Sequence, residues 1–556
     1  MTGLTHVDDY PEVPVSLLAS RALLRTGEWR NMRPVARERR APCSDACPAA
    51  VPVPRYLHLL AQGRVREAYD AFTLRNPFPA VTGRVCPHFC EAACNRGPYD
   101  GPLSIRALER YLGDAAAGLG PAGPQGDTGK RVAVVGSGPA GLSAAYYLRR
   151  SGHRVVVYEK REKPGGLLRY GIPEYRLPEA VLDAEVARLE ALGVEFRTGA
   201  AIGEVVLLED LEAGHDAVVA ATGAWAGRPM GIPGESLFEA GLEYLEQVAR
   251  GLHALPGRRC AVIGGGNTAM DVARVLRRLG GEVTVLYRRT RDEMPAIAEE
   301  AEAAARDGVR FEFLALPRAA AKDGAALRLT VERMRLGPPD ASGRPRPEPT
   351  GETSDMTFDA VFSAVGEQAD LAPFPDSLRA EPKGWLAVGP DGSTPDPSVF
   401  VAGDLATGPA TVVAAIARGR EAADAVNARI GGGYDLPAWV GDEAPDAVAP
   451  DEVNRAYFAR QARVESPEVP PDRRAGGVLG EETATALAAD ALAEIERCFS
   501  CGYCNHCGTC FVFCPDAAIR WEDGPVFDYD YCKGCGICSV ECPGHVLAFV
   551  RERADG

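Results

Sequence analysis

Eight cysteines near the end of the chain repeat one spacing. Cys504-x2-Cys507-x2-Cys510-x3-Cys514-Pro is followed by Cys532-x2-Cys535-x2-Cys538-x3-Cys542-Pro. The short x2 gaps let three thiolates of one tight loop reach three corners of an iron–sulfur cube. In doubled runs of this kind the fourth Cys of each motif ligates the cluster of the other. The expected sets are Cys504, Cys507, Cys510 and Cys542 for one [4Fe–4S] cluster, and Cys532, Cys535, Cys538 and Cys514 for the second. Such clusters pass single electrons. Zinc is the competing reading, but structural zinc sites set two Cys pairs across a longer stretch.

Two other segments have the residues for holding dinucleotides. In RVAVVGSGPAGLSAAYYLRRSGHRVVVYEK, Gly136-x-Gly138-x-x-Gly141 follows a strand and opens a helix. Gly136 permits the tight turn, Gly138 lets the backbone approach pyrophosphate, and Gly141 lets the helix pack on the strand. The helix N-terminus then faces the phosphates. Glu159 ends the second strand, placed to accept from a ribose 2′-hydroxyl. The second unit, RRCAVIGGGNTAMDVARVLRRLGGEVTVLYRR, has Gly264, Gly266 and Ala269 at the three positions, with Asn267 beside them. Arg288 and Arg289 replace the terminal acid, which favours NADP(H), with NAD(H) still open. Gly403 and Asp404 end a strand before a helix, where the acid suits a cofactor hydroxyl. Cys260 lies inside a strand pattern and reads as a buried apolar thiol.

The elements that must position these residues are an α/β assembly. A helical, cysteine-bearing head spans 1–117. A first Rossmann-type dinucleotide unit spans 130–235 and 360–430, with a second, suited to NAD(P)H, at 236–359 between its halves. A linker at 431–490 leads to an α+β module resembling a two-cluster ferredoxin at 491–556. With 556 residues several domains are expected. Net charge is −16, which disfavours nucleic acid and anionic membrane as partners. Clustered thiols in a large chain read as metal ligands. The opening segment MTGLTHVDDYPEVP has no basic or apolar leader pattern, and apolar runs are strand-sized, so a cytoplasmic protein without a membrane span is expected.

The motifs CPAAVPV, TGRVCPHFCEAAC, VVGSGPAGLSAA, EKPGGLLRYGIPEYRLP, GGGNTAMD and YRRTRDEMPA carry a resemblance over residues 30–430. That stretch looks like the glutamate synthase small (beta) subunit and its NADPH-dependent FAD iron–sulfur relatives, including the N-terminal half of dihydropyrimidine dehydrogenase. The resemblance implies FAD at the first site and NADPH at the second. It also implies that Gly165, Gly166, Leu167 and Arg169 approach the flavin side, with Gly403 and Asp404. The family's head holds two clusters, but Val35 and Glu38 stand where two of its upstream cysteines belong. By the resemblance one head cluster keeps Cys47, Cys86 and Cys90, with Glu109 as a non-Cys fourth ligand. An alternative is one cluster from four of the five head cysteines. The other cluster retains only Cys43 and Cys94 and is expected to be lost, which gives three clusters in all. Cys498 and Cys501 are left without a role.

These readings converge on an electron-transfer flavoprotein that moves electrons between NAD(P)H and a protein partner or ferredoxin, as part of a hetero-oligomer. The alternative is a glutamate synthase small subunit serving a separate glutamate-forming large subunit. A self-sufficient reductase needs a further catalytic domain for which no stretch remains. A disulfide reductase needs a Cys pair beside the flavin, and 95–259 and 261–497 contain no Cys.

Overall fold

The computed structural model describes residues 26–339, 343–380, 385–437, 446–470, 473 and 479–552. The opening segment and parts of the 431–490 linker lie outside the described residues.

The run RVAVV forms the strand Arg131–Val135, with Val132 to Val135 no more than 2% exposed. Continuous apolar runs of this sort belong to parallel sheets covered on both faces. Five parallel strands make the first sheet, in the order 399–401, 217–220, 131–135, 154–158, 195–197. Helices Pro139–Arg150 and Val412–Ile430 pack on it. A Cβ on Gly419 would lie 2.1 Å from the Ala140 carbonyl oxygen, so this close helix crossing depends on glycine.

A second parallel sheet follows the order 310–313, 282–287, 259–263, 360–363, 239–240. The strand Ala360–Ser363 therefore lies in the second unit, not at the return to the first as expected above. It is short and apolar but for its last residue, Ser363, so its pattern suits either sheet. Its pairing with Cys260–Ile263 decides the matter. Between Phe313 and Ala360 the chain adds a three-stranded antiparallel sheet, Ala315–Asp323, Ala326–Pro339 and Pro345–Phe358.

The head is helical as expected. Its helices Pro79–Val85 and Ile105–Ala115 cross where Cβ atoms on Gly83 and Gly113 would sit 2.2 and 2.3 Å from the backbone nitrogens of Arg110 and Ala80. The C-terminal module is not a free appendage. Its strand Leu547–Arg551 pairs antiparallel with Met32–Ala36, and the Arg37 and Arg39 N–H groups donate to the carbonyls of Val546 and Gly502, each at 2.9 Å. The preceding linker straps the units together. Glu481 pairs with Arg84 and Arg110 of the head, and Glu482 with Arg274 and Arg278 of the second dinucleotide unit.

Candidate functional site

At the carboxyl edge of the first sheet lies a cavity of about 400 Å³ lined by Gly136, Gly138, Glu159, Gly166, Leu167, Gly403 and Asp404, among others. Gly136 has φ +100°, and a Cβ there would meet the Ala221 carbonyl oxygen at 2.4 Å. Gly141 is equally tight: its Cβ would reach the Gly136 carbonyl at 2.0 Å, as its helix-packing role requires. Gly138 differs, because a Cβ there would meet nothing within 4 Å. It opens the helix Pro139–Arg150 and leaves a cradle of backbone open to a phosphate group. The Glu159 carboxylate is buried and accepts from the Ser137 N–H at 3.0 Å, the Ser137 hydroxyl and the Arg161 N–H at 2.8 Å, so its position is fixed. Burial pushes the Asp404 carboxyl up to about 7, while the Ala410 N–H donates to it at 3.2 Å. Thr222, in the same wall, has a buried hydroxyl with no hydrogen-bond partner among the described residues, which suits a bound polar ligand. Cavity, cradle, acids and orphan hydroxyl fit FAD.

Arg169 departs from its expected place. Its guanidinium binds the Pro164 carbonyl, Glu179 and Asp183 at 2.6, 2.7 and 2.6 Å and does not line the cavity. Gly165 does not line it either. Its N–H donates to the Ser137 hydroxyl at 2.9 Å. Both hold the loop that presents Gly166 and Leu167.

The second turn repeats the first. Gly264 has φ +144°, with a would-be Cβ 2.1 Å from the Ala364 carbonyl oxygen, and Ala269 is fully buried in helix packing. Gly266, at the N-terminus of the helix Asn267–Arg278, has nothing within 4 Å of a would-be Cβ. Asn267 spends its side-chain oxygen on the Ile297 N–H, at 2.9 Å. The arginine pair divides. Arg288 is exposed, whereas Arg289 is 4% exposed and donates to the Pro345 carbonyl at 2.8 Å. Arg289 thus anchors the antiparallel sheet, and Arg288 is the one free to face a 2′-phosphate. Arg291, three residues on, is exposed on the same loop.

In the head, Cys86 caps the helix Pro79–Val85, and the glycine crossing presses Ile105–Ala115, with Glu109, against it. Cys47, Cys86 and Cys90 all have Glu109 as an electrostatic neighbour. Burial pushes the Glu109 carboxyl up to about 8, partly offset by a hydrogen bond with Thr82. This soft-and-hard donor set can hold an iron–sulfur cluster. In the C-terminal module one hollow is lined by Cys504, Cys507, Cys510 and Cys542, and another by Cys514, Cys532, Cys535 and Cys538. These are the two crossed sets expected from the spacing.

One expectation is corrected. Cys43 and Cys94 are not left as a pair, because Cys498 and Cys501 come against them. More than four hundred residues of chain separate Cys43 from Cys498, so no local spacing announced the meeting. Cys260 is fully buried in its strand, away from the flavin cavity.

Residues 130–419 match the pyridine nucleotide-disulphide oxidoreductase family, residues 36–120 match the 4Fe-4S cluster domain II of dihydropyrimidine dehydrogenase, and residues 525–547 match the 4Fe-4S binding domain. The chain is 36% identical over 501 residues to the beta subunit of the NADP(+)-dependent formate dehydrogenase of Moorella thermoacetica, covering 83% of this chain and 70% of that protein. It is 38% identical over 420 residues to the beta subunit of the NADPH-Fe(3+) oxidoreductase of Geobacter sulfurreducens, covering 69% of this chain and 62%, under two thirds, of that one. The glutamate synthase [NADPH] small chain of Halomonas elongata is 36% identical over 411 residues, 69% of this chain and 87% of its own length. The chain belongs to the pyridine nucleotide-disulphide oxidoreductase family, as an oxidoreductase of FAD, NADP(H) and [4Fe–4S] clusters.

Proposed function

We propose that this chain is the NADP(H)-linked electron-transfer component of a larger assembly, taking electrons from NADPH and delivering them to a protein acceptor. A flavin, when bound, supplies the exchange between a two-electron hydride and single electrons. The chain's own residues do the rest. Gly138 and Gly266 offer backbone to the two pyrophosphates, Glu159 and Asp404 take the cofactor hydroxyls, and Arg288 receives the 2′-phosphate. Thr222, Trp225 and Leu167 line the same cavity and would pack against the bound cofactor.

The observation that carries this reading is continuity. The flavin-type cavity, the head thiols and the two C-terminal thiol sets sit on one interlocked fold, joined by the Met32–Ala36 ladder. Disulfide chemistry is disfavoured, since Cys260 is the single cysteine between Cys94 and Cys498 and is buried in a strand. On the C-terminal module Val512, Phe513, Ile537 and Val540 are exposed on or next to two short helices that touch, apolar surface suited to a protein acceptor, and Cys535 of the same module is exposed as well. The relatives named above as beta subunits or a small chain agree with a partnered protein. Delivery to a glutamate-forming subunit is the second reading, favoured by the cover of nearly the whole Halomonas small chain. The cytoplasm is the proposed compartment. None of the sixteen Cys is in a disulfide, and among the described residues no helix is long and apolar enough to cross a membrane.

The test is anaerobic. NADPH should bleach the bound flavin of the purified chain, and the reduced chain should pass electrons to one-electron dyes. A flavin that stays oxidised under excess NADPH sinks the proposal.

A further inference from the structure

The thiols that the ferredoxin spacing leaves over meet the thiols that the head leaves over. Cys43 has Cys94, Cys498 and Cys501 as its electrostatic neighbours. Cys498 has Cys94, and Cys501 has both Cys498 and Cys94. All six pairs among the four residues are thereby accounted for. Cys43 and Cys501 are buried, Cys94 and Cys498 half-buried, and all four belong to the apolar core of the head.

The surroundings hold the four in place. Arg96 is 1% exposed and donates to the Arg497 carbonyl. Arg497, equally buried, pairs with Glu494 at 2.6 Å and with Asp100 at 3.2 Å, which fixes the turn just before Cys498. Gly502, directly after Cys501, has φ +69°, with a would-be Cβ 2.4 Å from the Arg39 carbonyl oxygen. Two sulfurs already accept hydrogen bonds: Asn95 Nδ2 donates to Cys501 Sγ and the Ser500 N–H to Cys498 Sγ, both at 3.4 Å. The ferredoxin sets show the same feature, with the Ala518 and Val546 N–H groups donating to Cys514 and Cys542 Sγ at 3.3 Å. Such bonds tune cluster sulfurs.

We propose that Cys43, Cys94, Cys498 and Cys501 bind a fourth [4Fe–4S] cluster at the junction of the head and the C-terminal module. Four thiols and no hard donor suit iron–sulfur or zinc. The N–H groups donating to Cys498 and Cys501 Sγ match those donating to Cys514 and Cys542 Sγ of the ferredoxin sets, and this favours iron–sulfur. The site is also where a relay needs one. Cys43 is a neighbour of Cys90 in the head set, and Cys501 lies three residues from Cys504 of the nearer ferredoxin set. Val35, which stands where a head ligand would be, is instead paired with Ala548 in the ladder that docks the module. The same docking that removed the local ligands supplies the distant ones. The inference goes beyond the proposed function and stands without it.

The test is metal content of the full chain, purified anaerobically and normalised to bound FAD. Iron and acid-labile sulfide of about sixteen per chain are expected, four per cluster. Cys43→Ala, outside the ferredoxin module, should bring both to about twelve, and the double variant Cys498→Ala with Cys501→Ala should lose the same four with the same reduced-state electron paramagnetic resonance signal. Cys260→Ala serves as the control and should keep all sixteen. FAD content at wild-type level in the variants separates loss of the cluster from loss of the fold. Wild-type iron near twelve, a Cys43→Ala chain that still holds sixteen, or about one zinc per chain in place of four irons would overturn the assignment.

Discussion

Arg176, in the flavin unit, donates through Nη1 to both carboxylate oxygens of Asp271, in the second dinucleotide unit, at 2.9 and 2.8 Å. Both side chains are buried, and Arg176 also meets Glu300 at 3.0 Å. Asp271 sits on the helix that Gly266 opens, and Arg176 sits in the segment that follows Gly166 and Leu167. The pair therefore ties the helix of one nucleotide site to the loop of the other. Removing one partner of a buried pair leaves the other charged and unsolvated, which costs about 3–5 kcal/mol. Glu300 retains part of the compensation, so Asp271→Ala should fall at the lower end of that range. Denaturant unfolding measures it, and a loss below about 1 kcal/mol would show the join to be held elsewhere.

The glycines of each turn separate by what surrounds them. At Gly136 and Gly264 a side chain would strike backbone at a positive φ, so alanine there should damage the fold itself. At Gly138 and Gly266 a methyl group meets no protein atom within 4 Å. Gly138→Ala should fold with near-wild-type stability yet lose FAD. Gly266→Ala should keep FAD and weaken NADPH binding at least about tenfold, some 1.4 kcal/mol. Thermal unfolding of the apoprotein, FAD retention and NADPH titration read the three quantities separately. An unchanged NADPH affinity in Gly266→Ala would move the pyrophosphate away from this helix.

The two arginines after the second strand should behave differently. Arg288→Ser removes a charge-assisted contact worth about 1.5–3 kcal/mol and should erase most of the preference for NADPH over NADH. Arg289→Ser should leave the preference largely intact and lower stability, because its guanidinium holds the Pro345 carbonyl. Stopped-flow flavin bleaching with each nucleotide decides. The opposite pattern would return the 2′-phosphate to Arg289.

What could be read from the sequence was local. The strand–turn–helix units at Gly136 and Gly264 and the crossed sets around Cys504 and Cys532 follow from periodicity and spacing within short stretches of chain. Arg169 and Arg289 look like ligand-facing cations in the sequence, but each is taken up by acceptors that only folding supplies. Ala360–Ser363 could have joined either sheet, since a strand of four residues does not name its neighbour. The meeting of Cys43 with Cys498 comes from the helix Ala488–Glu496 packing on the head helices Val53–Ala61 and Ile105–Ala115, a contact between distant parts of the chain.

The C-terminal module gives the last prediction, because its two thiol sets differ in exposure. Cys535 is the one exposed cysteine among the described residues, and it belongs to the set with Cys514, Cys532 and Cys538. Ile537 and Val540, on the short helix that follows it, are also exposed. Electron transfer weakens with distance, so the set nearest the surface is the natural exit. Cys510 is a neighbour of Cys538, which links this set inward to the one around Cys504. Cys532→Ser with Cys535→Ser should remove about four irons, one cluster. Reduction of a protein acceptor should fall at least tenfold relative to flavin bleaching by NADPH in the same preparation. Val540→Lys, which places a charge on the apolar surface without touching a ligand, should raise the acceptor KM and leave the iron content unchanged. If acceptor reduction keeps pace with flavin bleaching in the double variant, electrons leave upstream of this set, and the head thiols around Cys47, Cys86 and Cys90 become the exit.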